Sequence, residues 1–193
     1  MSLILKKETK STKILVWEIN ETLSKLEKKL TISYPKKIKI EQRKKEFIST
    51  RLLLKEYNPS LEINYDKNGS PKLNSLEKIS ISHSNKFTAI CVSNNNIGID
   101  IEEINDRNTR LSKKFVNSHH NIIDVESCTL IWCIKEATYK YHMCGNVDFK
   151  KDIIVPKFKV ANSGEIYFQF RKDKMIANYF RIKDNFLVYV CKL

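Results

Sequence analysis

In NIGIDIEEI (96–104) apolar and other residues alternate strictly, so in a strand Ile97, Ile99 and Ile101 would face one side and Gly98, Asp100 and Glu102 the other. Alpha carbons two residues apart in a strand are about 6–7 Å from each other, close enough for both carboxylates to reach one hard cation. An edge strand with a polar outer face would show the same D-x-E pattern. Gly98 argues for more than that, because a strand glycine often marks a close approach of a ligand or of another backbone.

A second set lies in VESCTLIWCIKEATYKYHM (125–143), whose apolar period predicts a helix. Leu130, Ile134, Ala137 and Tyr141 would form its core face. The opposite face carries Trp132, Lys135, Glu136, Tyr139 and Lys140, with Trp132, Glu136 and Lys140 in line at i, i+4, i+8. A Glu-to-Lys pair in solvent is the simplest account of the last two. Trp132 points instead to a large neighbour on that face, such as the first half of the chain. A carboxylate from this helix beside Asp100 and Glu102 would complete an oxygen set of the kind magnesium takes, with positions left for water and phosphate. His83, between two serines in ISISHSN, is either a satisfied structural residue or a ligand-binding one at a strand end.

The elements that must position these residues are readable along the chain. KILVWEIN (13–20) reads as a strand, ETLSKLEKKL (21–30) as a short helix and 40–58 as a longer one. Asn68-Gly69 and Pro71 mark a hairpin within 61–73, and 78–84, 86–93 and 96–104 read as strands. After helical text at 111–116 and 125–143 come strands at 153–160, 165–170, 174–180 and 186–193, with turns expected at 162–164 and 183–185. The pattern is α+β: two similar subdomains, each a helix packed on antiparallel strands, bounded at 1–105 and 106–193.

Composition narrows the classes. The chain has 193 residues, enough to bury a core without staples. It has no apolar run near the ~18 residues of a membrane span. The start, MSLILKKETK, is too short in apolar residues for a secretory signal, so a cytoplasmic location is expected. The five cysteines form no CxxC pair and read as reduced, with Cys91 and Cys191 filling the core. A net charge of +13 reflects either nucleotide bias toward lysine or a selected basic surface.

Taken together these residues resemble the 4'-phosphopantetheinyl transferase superfamily, in its long two-halved form typified by the surfactin-synthetase activating enzyme. Its G-[IV]-D-[IV]-E segment is matched by 98–102, and its W-x-x-K-E-[AS]-x-x-K segment by Trp132, Lys135, Glu136, Ala137 and Lys140. ISISHSNKFTAICVS is similar to its His strand, and RKKEFISTRLLL (43–54) to its basic helix. The resemblance implies a pseudo-twofold pair of subdomains and transfer of 4'-phosphopantetheine from coenzyme A to a serine of an acidic acyl- or peptidyl-carrier protein. By the same resemblance Asp100, Glu102 and Glu136 would hold Mg²⁺, while Glu136, Lys140 and Asp100 would be catalytic. Arg43, Arg51, Ser82, His83, Lys135 and Lys140 would contact coenzyme A. No membrane or nucleic-acid partner is expected, and the chain should be monomeric.

Two departures stand out. Gly69-Ser70-Pro71 replaces Gly-Lys-Pro, leaving Lys67 or Lys72 to stand in, and His119 and His120 replace an accessory acidic segment. A metal-dependent nuclease is the rival enzyme reading, since carboxylates, a lysine and a basic surface also suit phosphodiester cleavage. A nonenzymatic nucleic-acid module ranks below it for want of a helix-turn-helix, zinc pattern or aromatic RNP-like strand.

Overall fold

The computed structural model describes residues 2–9, 11–30, 33–35, 38–117, 124–143 and 145–193; His119, His120 and Cys144 lie outside them. The fold is α+β with antiparallel sheets. The chain divides into two compact units, Met1–Asn94 and Asn95–Leu193.

In the first unit β1 (Leu3–Glu8), β2 (Thr12–Glu18), β5 (Lys78–Ser84) and β6 (Phe87–Ser93) form an antiparallel sheet in the order β1-β2-β6-β5. The apolar run of β6 earns its place: every residue of this inner strand is buried. Helices α1 (Leu23–Lys29) and α2 (Glu41–Tyr57) build the core with this sheet, placing Leu26, Ile48 and Leu53 among Leu15, Trp17, Ile90 and Val92. A short hairpin, β3 (Ile63–Tyr65) and β4 (Pro71–Leu73), turns where Asp66 Oδ1 accepts from the Asn68 and Ser70 amides. Gly69 there has φ +80°, a left-handed conformation that glycine takes without a Cβ clash.

In the second unit β7 (Gly98–Glu103), β8 (Ile153–Ile154), β9 (Ser163–Phe170), β10 (Asp173–Ile182) and β11 (Asn185–Lys192) form a sheet ordered β7-β11-β10-β9-β8. Helix α3 (Asp106–Leu111) leads into a 3-10 turn, Ser112–Lys114. Helix α4 (Val125–His142) packs on β7 and β11. It starts where Asp124 accepts from the Ser127 amide and ends at Met143, in the left-handed region at φ 60°. Phe115, Leu130, Ile134, Ala137, Phe168, Phe186 and Val188 lie in its core.

Several elements differ from the sequence reading. The strand expected over 153–160 is two residues long, because Pro156 has no amide to extend a ladder. Ser163 and Gly164 belong to β9 rather than to a turn, and β1 was not anticipated. The expected boundary at 105/106 left the Gly-Ile-Asp-Ile-Glu strand in the first half. In the structure β7 pairs with β11, Asp100 opposite Val188, and the division falls ahead of it.

Candidate active site

Helix α4 lies close on β7, and Gly98 is the point of contact. A Cβ at Gly98 would fall 1.8 Å from the Ala137 carbonyl oxygen and 2.7 Å from the Tyr141 amide nitrogen. The close approach anticipated at this glycine is therefore that of another backbone. From there β7 runs against the direction of the helix. Asp100, 2% exposed, accepts at 2.7 Å from the Lys140 ammonium, and Glu102 accepts from the Trp132 indole N–H at 3.3 Å. Glu136 lies on the helix between Trp132 and Lys140, within the field of Asp100.

Of the two accounts of Lys140, the solvent pair with Glu136 along the helix is not the one that forms: Lys140 pairs across elements with Asp100, whose deep burial strengthens the attraction. Trp132, too, meets its neighbours inside its own unit. Its ring lies 4.9 Å from that of Phe115 and 5.6 Å from that of Phe149.

Lys135 departs furthest from expectation. It is fully buried, and its ammonium donates to the Phe149 carbonyl at 2.5 Å, the Ile153 carbonyl at 2.6 Å and Asn117 Oδ1 at 3.5 Å. Burial pulls its pKa down to about 7, opposed by the charge of Asp148. Three acceptors also match the three hydrogens of a charged ammonium.

The acids carry signs of crowding. Burial first, then the charge of Asp100, raises Glu102 to about 7, with the Trp132 N–H and Lys140 opposing and Glu136 adding to the rise. Glu136 is raised by burial and by Asp100, with Lys140 opposing. Beneath them the buried Cys133 thiol is pushed well above its ordinary range, by burial and then by Asp100, and stays protonated. Cys91 and Cys128 are also buried and outside any disulfide, while Cys191 is half-buried.

A carboxyl whose folded pKa exceeds its unfolded one favours the folded state while protonated. That contribution is complete below about 4.5 and is lost as pH rises to about 7. The metal-free protein should accordingly lose about 2 kcal/mol over that window through Glu102, and Glu102→Gln should flatten the decline. Chemical denaturation across pH measures it. Identical slopes in both proteins would assign the titration elsewhere.

Among the described residues no three His, Cys, Asp or Glu side chains already converge as a metal site. The donor chemistry nonetheless fits a hard divalent ion. Three mutually repelling carboxylates come from β7 and α4, two of them raised by that repulsion as well as by burial, with a single ammonium paired to the most buried one. A divalent ion would relieve the repulsion more fully than Lys140 does alone.

The remaining predicted residues lie in the first unit. His83 Nε2 is 3.0 Å from Thr50 Oγ1. Because that hydroxyl donates to the Glu46 carbonyl at 2.7 Å, Nε2 is the donor to it. Ser82 is buried beside His83 on β5. Arg51 lies 3.3 Å over the Phe47 ring and donates to the Phe47 carbonyl at 3.0 Å, and burial lowers its pKa against the influence of Tyr65. Arg43 is more exposed and pairs with Glu46 at 2.8 Å. Lys72 stands 3.9 Å from Asp66. The predicted residues thus form two sets, one in each unit.

Residues 96–191, the body of the second unit, match the family model of the 4'-phosphopantetheinyl transferase superfamily. The chain belongs to that superfamily, and its enzymatic class is that of a transferase. None of the curated proteins matches it. No described helix is long and apolar enough to cross a membrane.

Proposed function

We propose that this chain transfers the 4'-phosphopantetheine arm of coenzyme A to a serine hydroxyl of an acidic apo carrier protein, acyl or peptidyl, and releases adenosine 3',5'-bisphosphate. The observation carrying this reading is the superfamily match over the unit in which β7 and α4 bring Asp100, Glu102, Glu136 and Lys140 together. It favours phosphopantetheine transfer over the nuclease alternative, for which the basic charge is the remaining argument.

The serine oxygen forms a bond to the pantetheine-side phosphorus, and the bond from that phosphorus to the bridging oxygen of the pyrophosphate breaks. Glu136, its pKa raised by burial and by Asp100, takes the serine proton, directly or through water. Lys140 meets the charge that grows on the departing phosphate. Asp100, Glu102 and Glu136 would hold Mg²⁺, which when bound neutralises pyrophosphate oxygens. Arg43, Arg51, Ser82 and His83 are assigned to the adenine ribose and its 3'-phosphate, with Lys67 or Lys72 in place of the family's Gly-Lys-Pro lysine. Lys135 lies outside this set, since its ammonium is engaged in the interior. The protein acts in the cytoplasm as a monomer without a nucleic-acid partner, and its basic surface speeds encounter with acidic carriers.

Incubation with coenzyme A, Mg²⁺ and a panel of apo-carriers tests the reading by intact mass. A carrier gaining one phosphopantetheinyl group supports it. No gain on any carrier, with cleavage of an added nucleic acid, would replace it with the nuclease.

Lys140→Ala separates a catalytic lysine from a mere counter-ion. It should lower kcat about ten- to a thousandfold with a much smaller change in coenzyme A affinity. Because Asp100 is buried, the metal-free variant should also lose about 1–3 kcal/mol of stability, in part restored by Mg²⁺. Lys140→Arg, a planar fork in place of a compact ammonium, should recover only part of kcat. Unchanged turnover in Lys140→Ala would confine the residue to its ion pair.

A further inference from the structure

The lysine ahead of Glu136 would, on charge and spacing alone, be assigned to a substrate phosphate. Its surroundings assign it differently. Its three acceptors come from two stretches of chain: Asn117 after the 3-10 turn, and the Phe149 and Ile153 carbonyls at either end of a segment that runs into β8. Asn117 closes the knot, since its Nδ2 donates to the Lys150 carbonyl at 2.5 Å while its Oδ1 receives Lys135. Phe149, fixed by this knot, packs against Trp132 and against Tyr139 at 6.0 Å. Trp132 in turn donates to Glu102.

We propose that Lys135 is a positioning residue. Its ammonium pins the 149–153 segment and Asn117 under α4, and through Phe149 and Trp132 sets where the Glu102 carboxylate and the neighbouring Glu136 stand. The inference rests on the transferase reading for its kinetic consequence, but its structural content is independent of any substrate. An apolar replacement removes the charge that gathers three acceptors and leaves two carbonyls and an amide in the interior without their donor. A site loosened in this way holds its reacting groups off line, which lowers turnover more than it weakens substrate binding.

Well below its melting temperature, Lys135→Met should show kcat lowered about ten- to a hundredfold with coenzyme A KM within about threefold. The Trp132 indole N–H resonance, assigned with Trp132→Phe, should shift and exchange faster with solvent. Lys135→Arg should not restore either, because a guanidinium does not fit an enclosure built for a compact ammonium. A KM raised tenfold or more, with kcat and the indole resonance unchanged, would overturn the proposal in favour of a phosphate contact. Should Lys135→Met fail to fold, Asn117→Ala loosens the same knot and should move the indole resonance in the same way. An unmoved resonance there would count against the proposal. Amine acylation of the wild-type protein, mapped by peptide mass, needs no activity. Lys135 should be protected with and without coenzyme A, and protection only in its presence would overturn the assignment. Absence of transfer to every carrier would sink the proposed function and leave the labelling and resonance tests standing.

Discussion

Gly98→Ala should be the most damaging single substitution in the second unit, costing more than about 4 kcal/mol or preventing folding outright. The added methyl would lie 1.8 Å from the Ala137 carbonyl oxygen and 2.7 Å from the Tyr141 amide nitrogen. Both are backbone atoms of α4, so no rotamer change makes room. Relief requires lifting the helix from β7, which opens the core around Ile134 and Ala137 and draws Lys140 away from Asp100. Gly69→Ala is the matched control, since nothing lies within 4 Å of a Cβ added there and its cost is that of a positive φ, about 1 kcal/mol. Circular dichroism and chemical denaturation of both variants measure the difference. A Gly98→Ala protein melting within a few degrees of wild type would mean that β7 and α4 can separate at little cost.

Asp100→Ala should abolish transfer, by about a thousandfold or more, while the unit stays folded. The backbone pairing of position 100 with Val188 does not involve the side chain. Lys140, 27% exposed at its side chain, can turn toward water once its partner is gone, so the loss of a buried charge pair costs little here. The contrast with Lys140→Ala is informative: removing the cation takes its ion-pair partner from a buried anion, whereas removing the anion leaves a cation that can reach water. Transfer rates to one apo-carrier, together with melting temperatures with and without Mg²⁺, test both halves. Turnover near that of wild type would remove Asp100 from the site.

The fold was largely legible where local signals were strong. The period of 125–143 located α4, and 78–84 matched β5 residue for residue. β1 was hidden because Leu3, Ile4 and Leu5 make a short apolar patch before charges; its strand character comes from pairing with β2, Leu5 opposite Val16. Asp100, Glu102, Glu136 and Lys140 could be singled out by residue type and spacing. Their pairing could not, since Lys140 chose Asp100 on another element over Glu136 one turn away. Lys135 and Trp132 fall on the face opposite the core, where Trp132 signals a large neighbour without saying which, because a helical wheel shows a single layer. The second layer, made of Phe115, Asn117, Phe149 and the carbonyls of 149 and 153, arrives from loops with no periodic signature. One signal was available: Phe149 and Ile153 are apolar residues in an otherwise charged stretch.

The brevity of β8 bears on how the protein behaves among copies of itself. Beyond Ile154 the edge strand passes to Pro156, which can give no amide to a visiting strand, and then to Lys157 and Lys159. One outer strand of the first unit's sheet is similarly guarded, since β1 ends in the exposed Lys6, Lys7 and Glu8. A chain approaching either edge would find few amide and carbonyl groups in register and several like charges to bring together. With a net charge of +13 behind them, these edges disfavour the strand-to-strand accretion to which open antiparallel sheets are prone. Acid phosphates or polyanions that neutralise those lysines would weaken the barrier, so colloidal stability in concentrated solution should fall as such ions are added.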